Sequence, residues 1–325
     1  MQKNKNLFWV FIIICVLSST IFLFVSYLEK ENEQDKKFRV TFFDVGQGDS
    51  SLINFGNDEK MLVDCGPDKT ILFKLGRALP MFNKKIDYLL VTHPDLDHYG
   101  GCVEVLRRYQ VGTIILNGQS KEYNPYWREF NATVEASRAR QVVVNGFAKL
   151  EIASSTLEFL SPGEDLGLPL ADAESNNYSI VFKLTAPSGK TFLFTGDAEE
   201  PLEQVLIEKY CSVAKPPPTP PLLRRGEPSV TTPTIPLPLA KGRARVGSSA
   251  GCPTLKSDIL KVGHHGSNSS SGEDFLSKVN PRTAIISSGQ KNKFGHPSPR
   301  VIKHLERAGA NILRTDILGD IDIIL

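Results

Sequence analysis

Four side chains able to grip a metal ion fall within six residues, in the run His93-Pro94-Asp95-Leu96-Asp97-His98, directly after the apolar segment 87–91. This feature restricts the fold sharply. Ionisable groups this dense beside a core strand need partners or a cation. Alternate side chains of a strand share one side, so His93, Asp95 and Asp97 have one parity. His98 joins them as the chain turns into a helix, and Gly100-Gly101 gives that turn room. Mixed imidazole and carboxylate donors suit zinc, manganese or iron, whereas magnesium and calcium sites are built of oxygen. Taken alone, the run could also be a charged surface loop with two incidental histidines.

Two further clusters sit at strand ends. Phe194-Thr195-Gly196-Asp197 closes an apolar strand with an aspartate placed to bridge two cations. By itself it would read as a turn aspartate or helix N-cap ahead of Glu199. The pair His264-His265 follows the apolar segment 259–262. Three such clusters point to one shared pocket.

Around them the chain alternates short strands (38–44, 50–55, 60–64, 86–92, 113–116, 141–144, 157–160, 179–184, 191–195, 259–262, 284–287, 312–314) with helical spacing at 70–82, 99–109, 198–210 and 299–309. Strand runs mixed with strand–helix units predict an α/β domain, sheets inside and helices packed outside. Residues 211–254 break the rhythm with ten of the 21 prolines and a charge of +5, leaving −3 for the rest of a chain whose total is +2. A basic balance located there is no evidence for a nucleic-acid-binding face. Such a composition predicts a disordered insertion. The five cysteines (Cys15, Cys65, Cys102, Cys211, Cys252) show no C-x-x-C spacing. Neither a thiolate zinc site nor a disulfide framework is expected, although Cys211 and Cys252 flank the insertion and could bridge in an oxidising compartment.

Residues 7–28 carry no charge, and 22 residues of helix span roughly 33 Å, enough for a bilayer core. Lys3 and Lys5 precede the run and Glu29, Lys30, Glu31 and Glu33 follow it. The expectation is a cytoplasmic N-terminus (1–6), a single transmembrane helix (7–28), a linker (29–37) and an extracytoplasmic domain (38–325). A cleaved signal peptide would have a shorter apolar core and a small-x-small site before Glu29.

The motifs F-D-V-G-Q-G-D-S (43–50), L-V-D-C-G (62–66), T-H-P-D-L-D-H-Y-G-G (92–101), F-T-G-D (194–197), L-K-V-G-H-H-G-S (260–267), S-S-G (287–289), F-G-H-P (294–297) and R-T-D (314–316) together resemble the metallo-β-lactamase superfamily, within it the ComEC-like hydrolase domains of competence proteins. The resemblance runs from 39 to 325 apart from the insertion. It implies a four-layer αββα sandwich with two divalent ions, zinc or manganese, at one edge of the sheets. It implies His93, Asp95 and Asp197 for one ion, and Asp97, His98, Asp197 and either His264 or His265 for the other. Asp95 stands where the wider superfamily has histidine, and the usual histidine before Asp197 is absent. Asn176-Asn177 lies near its place and would be a weaker ligand. Asp64 is expected to orient the turn from behind the ligands. Catalysis is expected to turn on Asp97 and His296, the latter positioning substrate or protonating a leaving oxygen; a plain turn histidine is the alternative. Gly46-Gln47-Gly48-Asp49 precedes a strand, which rejects a dinucleotide fingerprint; its glycines let backbone approach the site.

The chemistry so implied is hydrolysis by a hydroxide held between two cations. Its substrate would be DNA or another phosphodiester outside the cytoplasm. The alternatives are a small phosphoester or other ester, and a non-catalytic module that binds nucleic acid or a protein partner.

Overall fold

Short strands with both faces covered account for the apolar runs. The computed structural model describes residues 2–80, 83–163, 175–211 and 252–325. Its first half runs β1 (Arg39–Phe42), β2 (Ser51–Asn54), β3 (Lys60–Val63), α2 (Thr70–Ala78), β4 (Lys85–Leu90), α3 (Leu96–Tyr99), α4 (Cys102–Arg108), β5 (Gln110–Leu116), α5 (Pro125–Ser137) and β6 (Arg140–Val143). The second runs β7 (Ala148–Ile152), β8 (Ser155–Ser161), β9 (Val181–Thr185), β10 (Thr191–Phe194), α6 (Glu200–Cys211), β11 (Ile259–Lys261), α7 (Glu273–Val279), β12 (Thr283–Ile286), α8 (Pro299–Arg307), β13 (Asn311–Arg314), α9 (Thr315–Leu318) and β14 (Ile321–Ile324).

These strands form two sheets, ordered β14-β1-β2-β3-β4-β5-β6 and β13-β12-β11-β10-β9-β8-β7. In each, an antiparallel meander passes into parallel strands joined by helices: β3 to β6 in one, β10 to β13 in the other. Period-two alternation divides the apolar residues between layers. Phe42 and Ile53 pack with Phe182, Phe192 and Phe194 between the sheets. The neighbouring Leu52 turns outward with Leu62 and Leu89, against Ile71, Val105 and Phe130 of α2, α4 and α5. On the far side Leu193 and Leu260 meet Leu202, Leu276 and Leu305 of α6, α7 and α8. The layers are therefore helix, sheet, sheet, helix. Phe194 stacks on Phe182 at 4.7 Å and on Phe42 at 5.7 Å; such pairs each contribute about 0.5–1.5 kcal/mol beyond burial. They anchor the strand that ends just before Asp197.

Several elements escape the sequence reading. It assigns nothing between 116 and 141, where α5 buries Trp127, Phe130 and Val134 along one face and is capped by the Asn124 side chain, which accepts from Tyr126 N–H. Strand β7, helix α7 and the closing strand β14 are likewise unexpected; β14 pairs with β1, Phe42 opposite Ile321. The helix expected over 70–82 stops at Ala78, with Leu79 as its cap ahead of Pro80, because the residue before proline disfavours helix. Cys65 pairs with Cys102, against the expectation of no disulfide framework, and Cys211 pairs with Cys252, the bridge that the sequence allowed. Spacing could not reveal the first pair, because the fold brings the end of β3 against the start of α4.

The expected membrane span at 7–28 falls within helix α1 (Gln2–Asp35). Of that span, the side chains of residues 7, 8, 10, 27 and 28 lie outside the described ones. Among the described residues no helix is long and apolar enough to cross a membrane. Of the expected insertion 211–254, residues 212–251 lie outside the described residues.

Candidate metal centre

The ionisable residues gather at the carboxyl ends of parallel strands, where α/β sheets bind ligands. Asp64 follows β3, His93 to His98 follow β4, Asp197 follows β10, His264-His265 follow β11, and Ser287 follows β12. Close backbone packing sets the turns. A Cβ at Gly48 would lie 2.4 Å from the Asp97 carbonyl oxygen, and one at Gly101 2.4 Å from the carbonyls of Cys65 and Asp68. Both histidines after β11 have left-handed backbone, φ 47° at His264 and 55° at His265. Such strain persists where the surroundings over-determine it.

Four histidine Nε2 atoms converge on three carboxylates. His98 Nε2 is 3.2 Å from Asp197 Oδ1. His265 Nε2 is 3.2 Å from Asp97 Oδ2 and 3.5 Å from Asp197 Oδ2. His264 and His93 each place Nε2 3.9 Å from Asp197 Oδ2, and His93 Nε2 is 3.7 Å from Asp95 Oδ2. Asp97, His98, Asp197 and His265 alone bring four donor atoms within 4.8 Å of one another. His93 Nε2, His98 Nε2 and Asp197 Oδ1 are buried with no hydrogen-bond partner among the described residues. Buried polar atoms left bare are costly, and a cation between them would satisfy all three.

Each histidine is held from behind at Nδ1. His98 Nδ1 donates to Asp64 Oδ2 at 2.9 Å. Asp64 also accepts from the N–H and hydroxyl of Thr92, both at 2.8 Å. His93 Nδ1 lies 3.0 Å from the Thr92 hydroxyl and 3.3 Å from that of Ser179, and Ser179 accepts from Asp197 N–H at 3.0 Å. His264 Nδ1 meets Glu199 Oε1 at 2.8 Å. His265 Nδ1 meets the Ser287 carbonyl at 3.1 Å and lies 3.3 Å from Asp49 Oδ1. Metal-binding histidines almost always have such a partner, which fixes the tautomer and turns Nε2 to the ion.

The electrostatics favour positive charge in the pocket. Burial alone would raise the Asp197 carboxyl, yet His98 and His265 hold it well below the usual range. Burial would lower His98 and His265, yet Asp197 with Asp64 raises His98 well above its ordinary value, and Asp197 with Asp49 lifts His265 to about 10. A divalent cation bound among these groups would displace protons from them. For Asp95, the burial penalty is outweighed by His93 and by Lys121, which bonds Asp95 Oδ1 together with Ser175.

The pocket thus brings together His93, Asp95, Asp97, His98, Asp197, His264 and His265. His296 stands at its rim, its ring 5.6 Å from His264 and 6.5 Å from His265; burial and those two neighbours lower its pKa. Asn176 and Asn177 lie behind His264 and Glu199: Asn176 donates to the Glu199 carboxylate at 3.3 Å with its Nδ2 3.5 Å from His264 Nδ1, and Asn177 accepts from Glu199 N–H at 3.2 Å. The sequence reading missed Thr92, Ser179 and Glu199. It also missed the buried pair Lys261–Asp49, whose Nζ–Oδ2 distance is 2.6 Å. A lysine inside the apolar strand β11 was the available signal. A cavity of about 720 Å³, lined by Glu203, Arg300 and His304 among others, shares no residue with this centre; donor chemistry, not volume, locates the site.

Comparison with known proteins agrees with this fold. ComE operon protein 3 of Bacillus subtilis (strain 168) is 27% identical over 326 residues, covering 95% of this chain and 35% of that protein. Competence protein ComA of Neisseria gonorrhoeae is 28% identical over 300 residues, covering 91% and 33%. The chain therefore spans about a third of the length of these curated relatives. Among solved structures, the metallo-β-lactamase fold protein YhfI from Bacillus subtilis superposes with a TM-score of 0.51 at 11% identity, over 89% of this chain and 100% of that one, a likeness of fold alone. The family description "metallo-beta-lactamase superfamily" matches residues 43–290, and the chain belongs to that superfamily.

Proposed function

We propose that the chain is a metal-dependent phosphodiesterase that cuts DNA outside the cytoplasm, with two divalent cations, zinc or manganese, in this pocket. The observation that carries the reading is the set of four histidines, each fixed at Nδ1 and aimed with Nε2 at Asp95, Asp97 or Asp197. His93, Asp95, Asp197 and His264 would hold one ion, and Asp97, His98, Asp197 and His265 the other. His264 would then fill the place left by the absent histidine before Asp197. Bound divalent cations supply Lewis acidity and make water a nucleophile at neutral pH. The protein's own contribution is orientation. Asp64, Thr92, Ser179, Glu199 and Ser287 keep the imidazoles aligned, Asp197 joins the two halves of the site, and His296 at the rim positions the substrate or hands a proton to the leaving oxygen. The DNA assignment draws on the similarity to competence proteins. Purified protein with added manganese is expected to release nucleotides from DNA, and Asp97→Ala to abolish that release. A wild-type chain that cleaves only small phosphodiesters would replace DNA as the substrate.

We further infer that α1 anchors the chain in a membrane. Phe11, Ile14, Leu17, Ile21, Phe24 and Val25 are all exposed, and the hydroxyls of Ser18, Ser19 and Thr20 are absorbed by backbone carbonyls of the same helix. A helix apolar all round needs lipid or a large protein core. The two disulfides fit an oxidising compartment. Alkaline carbonate extraction of membranes is expected to leave the chain in the pellet; complete release would contradict anchoring.

A further inference from the structure

The loop from β12 to α8 brings more than His296 to the rim. Asn292 closes it: its Nδ2 donates to the carbonyls of Gly289 (2.8 Å) and His296 (2.6 Å), and its Oδ1 accepts from the N–H groups of Phe294 (3.2 Å) and His296 (2.9 Å). Held this way, Phe294 remains 58% exposed. Its ring lies nearly parallel to that of His296, 9° apart with centroids at 5.8 Å. The His296 ring in turn lies at a tilt beside those of His264 and His265, at 5.6 and 6.5 Å. Lys291 and Lys293 flank it, both exposed, and the Lys293 ammonium sits 5.2 Å from the Phe294 centroid.

A lone exposed aromatic residue is ordinary. One fixed by a loop built around its own asparagine, parallel to the His296 ring at the rim of the metal centre and beside the Lys293 cation, offers what a nucleotide needs. Aromatic faces stack bases with little regard to sequence, and flanking lysines follow the phosphates. Resting on the phosphodiesterase reading above, we propose that Phe294 determines substrate class: one unpaired base of single-stranded DNA stacks on its ring. As it does so, the Lys293 ammonium leaves the ring for a backbone phosphate. A base within a duplex has both faces covered by its neighbours and would first have to be extruded, so single strands are favoured over duplex.

The test uses the full chain with manganese and compares wild type, Phe294→Ala and Phe294→Trp on oligothymidylate and on the same oligonucleotide with abasic positions. For Phe294→Ala the KM for oligothymidylate is expected to rise about 5- to 150-fold, the range spanned by stacking of one base, while kcat changes little. Phe294→Trp is expected to restore the KM. On the abasic substrate wild type should lose its advantage, so that the two KM values converge. Metal content measured on each variant reports whether the pocket is intact. Equal KM values for wild type and Phe294→Ala on oligothymidylate would overturn this inference alone, as would a loss equally large on the abasic substrate. A wild-type chain that neither cuts nor retains any DNA would overturn the phosphodiesterase reading and this inference with it.

Discussion

Asp64 illustrates how a residue can shape the centre from a distance. Its carboxylate is engaged behind His98: it accepts from His98 Nδ1 and from both donors of Thr92. Removing such a partner usually costs about 10- to 100-fold in metal affinity. Asp64→Asn keeps the shape but replaces one acceptor with a donor, so manganese affinity measured by calorimetry is expected to fall by about that factor. An unchanged affinity would mean that His98 is held by packing alone. The donors themselves are legible in the sequence because dense ionisable residues at strand ends have few other uses. Their supports are not. Thr92 and Ser179 are 87 positions apart in a chain rich in hydroxyls, yet they meet at His93. Lys261 and Asp49 find each other only across the sheets.

At the level of elements, the loop carrying His264 and His265 is secured by a neighbouring helix. Glu203 of α6 accepts from Ser271 N–H at 2.6 Å and from Gly272 N–H at 2.9 Å, fastening the chain just ahead of α7. Burial pushes the Glu203 carboxyl from 4.5 up to about 7, with Glu200 adding and the two N–H groups and Arg300 opposing. The folded value lies above the unfolded one. The protonated acid therefore favours folding fully below about pH 4.5, and that contribution is lost as the pH rises through about 7. The whole effect is about 3 kcal/mol at most. Glu203→Gln cannot titrate, so the stability of wild type relative to Glu203→Gln is expected to decline from pH 5 to pH 8 in denaturant melts. A difference independent of pH would contradict this origin. Most strands could be read from apolar runs and turn residues. Helix α5 could not, because its three buried positions are dispersed through a polar segment, and β14 could not, because its pairing with β1 is settled some 280 residues away in sequence.

Across the whole molecule, the centre lies where the two sheets meet. His93, Asp95, Asp97 and His98 come from the sheet of β4; Asp197, His264 and His265 come from the sheet of β10 and β11. Cations shared between these groups would join the two halves of the sandwich and stabilise the folded state by mass action. Asp197 is the residue common to every part of this arrangement, facing His93, His98, His264 and His265 at 3.2–3.9 Å. The measurement that bears most directly on the account is metal content by plasma mass spectrometry, on the full chain dialysed after manganese loading, for wild type and Asp197→Ala. Wild type is expected to retain about two ions per chain and Asp197→Ala to lose both. A wild-type chain that retains none, or an Asp197→Ala chain that retains as much as wild type, would contradict a centre built around Asp197.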